Sequence, residues 1–231
     1  QIVDDQEQDG LPVIYSLYGK TQKPTLEMFD SLDLIIYDIQ DVGARFYTYI
    51  STMGLVMEAA GEAKIPIIIL DRPNPLGGKN SDGPIMLQQY TSFVGMYPIP
   101  IKYGLTPGEL ATMIIGEKWI GTIPELTVVE MEGWKRNMLF FDTGLPWVQP
   151  SPNIPDIETA IRYPGLCLVE GTNVSEGRGT YHPFKYIGAP WINAQQLTVI
   201  MNNLNLTGVI FESVSFTPVS IPGRSENPKY K

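Results

Sequence analysis

Apolar residues in this chain come in short runs separated by amphipathic stretches. In "LDLIIYDIQD" the run from Leu34 to Tyr37 is followed by acids at Asp38 and Asp41. A short apolar run bounded in this way predicts a buried strand. "YTYISTMGLVMEAAGEAK" follows, with Ile50, Met53, Leu55, Val56 and Met57 spaced for one helix face over roughly four turns. "IPIIIL" predicts a second buried strand, ended by the prolines of "DRPNPLGG". Strand, helix and strand in this order make a βαβ unit with a right-handed crossover.

The pattern continues with "TPGELATMIIGEKWI", a helix with a marked start. Thr106 is its N-cap, Pro107 its first residue, and Glu109 completes a capping box. "LTVVEM" predicts the next strand, and a long loop rich in aromatics and proline comes after it. "DIETAIRY" predicts a short helix stopped by Pro164 and Gly165. "LCLVE" predicts a strand, "NAQQLTVIMNNL" a helix capped by Asn193, and "GVIFESVSF" a last strand. The alternation predicts an α/β fold with a parallel sheet. Residues 1–90 are expected to hold the βαβ part of a Rossmann-like subdomain. Residues 91–231 are expected to hold the rest of the α/β domain and part of a second, with the boundary suggested by "GGKNSDGP" and "YPIP".

This pattern also locates polar chemistry. In parallel α/β sheets the ligand crevice lies outside the carboxyl ends of the strands. Asp38, Gln40 and Asp41 leave the first strand there, and Asp71, Arg72 and Asn74 leave the second, so six polar side chains are expected on one rim. A structural alternative exists for each group. Asp41 would cap the following helix with Arg45 paired to it, and Asp71 would pair with Arg72. "EGTNVSEGRGT" supplies a third cluster at the end of the strand predicted at "LCLVE", with Glu170, Asn173, Glu176, Arg178 and, just beyond, His182.

Composition narrows the classes. The net charge is -9, from 16 basic and 25 acidic residues, which argues against a nucleic-acid partner. No apolar run reaches the ~20 residues that cross a bilayer. Cys167 and His182 are single residues of their kinds, so the usual Cys/His zinc site has no ligands, and no cofactor is expected. Cys167 reads as a small core hydrophobe. "GKT" at Gly19–Thr21 lacks the earlier glycine of a phosphate loop, and no GxGxxG follows a strand. Among the tryptophans, Trp147 in "GLPWVQPSPN" is the one expected to face a cleft, where a ring can stack on a sugar. "QIVDDQEQDG" has neither the basic nor the apolar segment of a signal peptide. Both ends read as polar loops, so the chain is expected to be a central piece of a larger protein.

Together, "SLYG", "YDIQDVGARFYTYI", "LDRPNPLGG", "SFVG", "GLTPGELA", "GLPWVQPSPNIP", "YPGLCLVEGTNVSEGRGT" and "GAPW" resemble, in this order, the NamZ-type exo-β-N-acetylmuramidases, bacterial cell-wall glycosidases long catalogued as a domain of unknown function. The resemblance runs from about Leu11 to Pro218. It implies a hydrolase that releases N-acetylmuramic acid from the non-reducing end of peptidoglycan fragments. It also implies a Rossmann-like subdomain beside a smaller α+β one, an active-site cleft between them, and an exported, extracellular or periplasmic location. The family carries a Gly-Pro-Glu-His-Gly motif upstream of "SLYG", with the leading catalytic glutamate; that motif does not occur in this sequence.

Glycoside hydrolysis commonly uses two carboxyl groups. Glu176 is the first expected acid here, Glu170 the second and Asp41 the third. Arg178, with Arg72, is expected to grip the lactyl carboxylate of muramic acid through paired hydrogen bonds. Asn173, Asn74 and His182 are expected to fix the acetamide and hydroxyls, and the partner is a muramyl glycan. Two other readings stand beside this one: a peptidoglycan-binding protein without turnover, and an amidohydrolase or deacetylase acting on muropeptides.

Overall fold

The computed structural model describes residues 10–219, which divide into two compact units, 1–150 and 151–231. The stretch 80–100 lies inside the first unit.

The first unit is built on a parallel sheet of β1 (Ile35–Tyr37), β2 (Ile67–Leu70) and β3 (Leu126–Val129), in the spatial order β1-β2-β3. Tyr37 faces Ile69, and Ile69 faces Val128, so all three strands point their carboxyl ends to one edge. Two helices cover the sheet: α1 (Tyr49–Ala63) and α2 (Pro107–Gly116). Ile50, Met53, Val56, Met57 and Ala60 of α1 recur every three or four residues and are buried with Ile67 and Ile69 of β2 and Leu110 and Ile114 of α2. Burial of each such side chain contributes about 1.5–3 kcal/mol. α1 ends at Lys64, which turns left-handed and returns its N–H to the carbonyls of Ala60 and Gly61.

Small residues let α1 approach its neighbours. A Cβ on Gly54 would lie 1.6 Å from the Tyr97 hydroxyl oxygen, and one on Gly61 would lie 2.8 Å from the Thr122 carbonyl. Tyr97 is buried and stacks on Trp119 with ring centres 5.4 Å apart. On β1, alternate residues face away from this core, and Ile36 is 59% exposed.

α2 begins as its sequence dictates. Thr106 Oγ1 accepts the Glu109 N–H (3.2 Å), and Glu109 Oε2 accepts the Thr106 N–H (3.0 Å). Pro107 fills the first position, where an N–H has no helical partner.

The second unit contains α3 (Ile157–Leu166) and α4 (Ala194–Asn202). Asp156 caps α3 by accepting the Thr159 N–H (2.8 Å), and Asn193 caps α4 by accepting the Gln196 N–H (2.9 Å). Three expectations fail in this unit. α3 runs through Pro164 instead of stopping there. The proline lies in the last turn and removes one internal hydrogen bond, while Tyr163 before it is held by an edge-to-face contact with Phe184 (4.8 Å). "LCLVE" is not a strand; α3 continues into a 3-10 turn over Cys167–Gly171. A short apolar run does not by its period distinguish strand from helix, and here the preceding helix decides. "GVIFESVSF" forms no strand among the described residues. Its backbone is tied instead to a side chain, with the Phe211 N–H donating to Asn202 Oδ1 and the Asn202 amide donating to the Phe211 carbonyl, both at 2.9 Å.

Candidate active site

Asp38, Gln40 and Asp41 follow β1, and Asp71, Arg72 and Asn74 follow β2. The parallel register brings the two groups to one edge, where the Asp38–Arg72 pair and Gln40 link them. Arg72 donates from Nε to Asp38 Oδ1 at 2.6 Å, and its Nη2 lies 2.6 Å from the same oxygen. Both partners are substantially exposed. Gln40 Nε2 donates to the carbonyls of Asp41 (2.7 Å) and Pro73 (2.9 Å), stitching the two strand exits together.

Asp71 does not pair with the Arg72 guanidinium. It accepts the Arg72 N–H (3.0 Å) and Gly108 N–H (2.8 Å) on Oδ1, and the Thr106 hydroxyl (2.8 Å) on Oδ2. A carboxylate at the start of α2 meets free N–H groups and the positive end of the helix dipole. Burial nevertheless raises its pKa above the ordinary value. Asp71 therefore joins β2 to α2. Asn74 is buried, accepts the Leu76 N–H (2.9 Å) and donates to the Leu105 carbonyl (2.9 Å), which commits it to the turn.

Asp41 is 3% exposed. Its Oδ2 accepts the Gly43 N–H (2.6 Å) and the Tyr103 hydroxyl. Its Oδ1 is buried and has no hydrogen-bond partner among the described residues. Burial outweighs these donors and raises the carboxyl pKa from 3.8 to about 6. Asp41 thus accepts within its own turn rather than capping α1, whose N-cap is Thr48, and Arg45 does not pair with it. The Arg45 guanidinium donates to the carbonyls of Pro84 (2.7 Å) and Ile99, because main-chain oxygens reach it first on that side. Trp147 is half-buried, edge-on to Phe140 at 4.9 Å.

In the second unit the "EGTNVSEGRGT" loop leaves a 3-10 turn rather than a strand, so the strand that would have set it on a sheet rim does not form. Glu170 lies on that turn and forms an ion pair with Arg178. The Cys167 thiol lies 3.6 Å from Glu170 Oε2, and burial pushes its pKa up to about 12, which leaves it an unreactive thiol. Ser175 and Gly188 exchange main-chain hydrogen bonds of 2.8 and 3.0 Å, closing the loop at its base. Glu176 follows, 3% exposed, its carbonyl accepting the Phe184 N–H at 2.7 Å.

Glycine is required beside Glu176. Gly177 has φ +85°, and a Cβ there would lie 2.8 Å from the His182 carbonyl and 2.9 Å from that of Tyr186. Gly179 has φ +80° and faces the Val219 main chain as closely. Only glycine combines this conformation with this approach. Asn173 and His182 are exposed, and the His182 ring lies 4.8 Å from that of Tyr186. Among the described residues no three His, Cys, Asp or Glu side chains gather as a metal would require.

Sequence reasoning missed Tyr103, Thr106 as a donor to Asp71, and Phe184. Tyr103 and Thr106 act across long chain separations, and Phe184 acts through the fold of its own loop against α3.

Comparison with known proteins agrees with this architecture. Residues 2–158 match the family model described as exo-β-N-acetylmuramidase NamZ, N-terminal, and residues 161–231 match its C-terminal counterpart. The peptidoglycan β-N-acetylmuramidase NamZ of Bacillus subtilis (strain 168) is 56% identical over 212 residues, covering 92% of this chain and 50% of that protein. A crystal structure of a DUF1343 family protein from Bacteroides fragilis NCTC 9343 superposes with a TM-score of 0.87 at 45% identity, covering 96% of this chain and 58% of its own. A second DUF1343 protein from that organism gives 0.73 at 42% identity, covering 90% and 53%. The chain spans about half the length of the curated relative it matches.

Proposed function

This chain belongs to the exo-β-N-acetylmuramidase NamZ family, and from that premise we propose that it serves glycoside hydrolysis, releasing N-acetylmuramic acid from the non-reducing end of peptidoglycan fragments. The observation that carries the reading is Glu176: a carboxyl residue almost closed to water, fixed beside glycines that no other residue can replace.

Glu176 is the catalytic carboxyl in this proposal. Glu170 is committed to Arg178 and is not a reacting acid. In the first unit Asp41, whose pKa burial raises to about 6, keeps a proton into weakly acidic conditions. The lactyl carboxylate needs a cation on a chain of net charge -9. Arg72 supplies it. Its bond to Asp38 is an exposed ion pair, worth about 0–1 kcal/mol and readily exchanged for a substrate carboxylate. A peptidoglycan substrate further implies export from the cytoplasm.

The reading is tested by incubating the natural protein with the disaccharide N-acetylmuramyl-β-1,4-N-acetylglucosamine and identifying products by mass spectrometry. Free N-acetylmuramic acid and N-acetylglucosamine are expected. Saturable binding of the intact disaccharide without cleavage would mark a binding protein, and loss of an acetyl group alone would mark a deacetylase; either outcome overturns the reading.

A further inference from the structure

Glu170 and Arg178 both arise as candidate reacting or substrate-gripping groups from the sequence, yet the structure uses them on each other. Glu170 stands on the turn that continues α3 and pairs with the Arg178 guanidinium. The Arg178 guanidinium carbon also lies 5.1 Å from the centre of the Phe184 ring, in cation–π position. Phe184 is fully buried and packs edge-on against Tyr163 of α3 at 4.8 Å. Its main-chain N–H reaches the Glu176 carbonyl at 2.7 Å.

These contacts close a ring. It leaves the α3 extension through Glu170, crosses Arg178 to Phe184 and returns to α3 through Tyr163, with the main chain of Glu176 attached at Phe184. Phe184 holds a left-handed backbone with φ +55°. A bulky aromatic residue keeps that conformation only where its surroundings over-determine it. The Phe184 ring, held between the Arg178 guanidinium and the edge-on Tyr163 ring, is that determinant. Gly177 and Gly179 leave the loop backbone free to adopt other conformations, so side-chain contacts must select one.

We propose that Glu170 and Arg178 are positioning residues: their ion pair clamps Phe184, and through it the main chain of Glu176, in the geometry for catalysis. Nη1 of the guanidinium is engaged by Glu170, and its carbon lies over the Phe184 ring. The assignment rests on the reading of Glu176 as a catalytic carboxyl.

The experiment measures kcat and KM on the muramyl-glucosamine disaccharide for Glu170→Ala, Arg178→Ala, the double variant, Glu176→Gln, and Arg178→Ala combined with Glu176→Gln. Each single alanine variant is expected to lower kcat tenfold or more, with KM changed less than threefold. The double variant should fall no further than the worse single one, because the pair acts as a unit. In the Glu176→Gln background, removing Arg178 should change the residual rate less than twofold. A merely structural role would not produce this dependence on Glu176. Should an alanine variant fail to fold, Glu170→Gln and Arg178→Lys take its place with the same expected pattern. A kcat within twofold of wild type in either single variant overturns the proposal. So does a loss confined to KM in Arg178→Ala, which would make Arg178 a substrate ligand. Wild-type turnover by Glu176→Gln would instead remove the reading beneath the proposal.

Discussion

Asp41 carries an energetic cost that its neighbours only partly offset. The Gly43 N–H and the Tyr103 hydroxyl stabilise its charge, but burial dominates and the pKa rises from 3.8 to about 6. The folded state therefore binds the proton more tightly than the unfolded chain. Stability from this source is fully present below the unfolded pKa and is lost as pH rises toward 6, by an amount on the order of 3 kcal/mol. Asp41→Asn keeps an oxygen for both donors and cannot ionise. The stability of the Asn variant relative to wild type should thus rise by about 2 kcal/mol between pH 4 and pH 7, read by urea unfolding at each pH. Any fixed effect of the new amide group is common to both and cancels. A pH-independent difference would mean that Asp41 titrates as an ordinary carboxyl. Asp41 was legible as a candidate from its place after an apolar run. Its environment was not, because Tyr103 lies 62 residues away and no local pattern links them.

Elements marked by local chemistry were legible. The capping box at Thr106 and Glu109, the Asn193 cap and the apolar runs of β1 to β3 are written in adjacent residues and form as elements, although Ile36 of β1, where a buried strand is expected, and Val129 of β3 are exposed. Elements decided by neighbours were not. "LCLVE" follows a helix that tertiary packing carries past Pro164, and "GVIFESVSF" finds no strand to pair with among the described residues. The α1 interface depends on a feature that sequence marks only as a missed helix former. Gly54 admits the Tyr97 hydroxyl where any Cβ would collide. Alanine, the better helix residue by ~1 kcal/mol, should here destabilise the protein by about 1–3 kcal/mol through overpacking. A lower midpoint in thermal or urea unfolding is expected for Gly54→Ala; a higher one would show that the propensity gain exceeds the clash.

At the scale of the whole molecule, the chain divides into two compact units. The first, 1–150, presents Asp41 and Arg72 at the carboxyl ends of a parallel sheet. The second, 151–231, holds Glu176 in a loop that passes through Gly177 and Gly179 and is held by the Glu170–Arg178–Phe184 contacts. The family was legible because several long motifs occur in order along nearly the whole sequence, and the matches to both NamZ family models agree. The division of labour among Glu170, Glu176 and Arg178 was not legible, since spacing along a glycine-rich loop does not say which side chains turn toward each other. The central claim, that Glu176 is a reacting carboxyl, is tested most directly by the turnover of Glu176→Gln in the natural protein on the muramyl-glucosamine disaccharide. The account predicts a folded variant with unchanged melting behaviour and kcat reduced at least a hundredfold, in keeping with the loss of a general acid or base worth about 10²–10⁴ in rate. Turnover at the wild-type rate would contradict it.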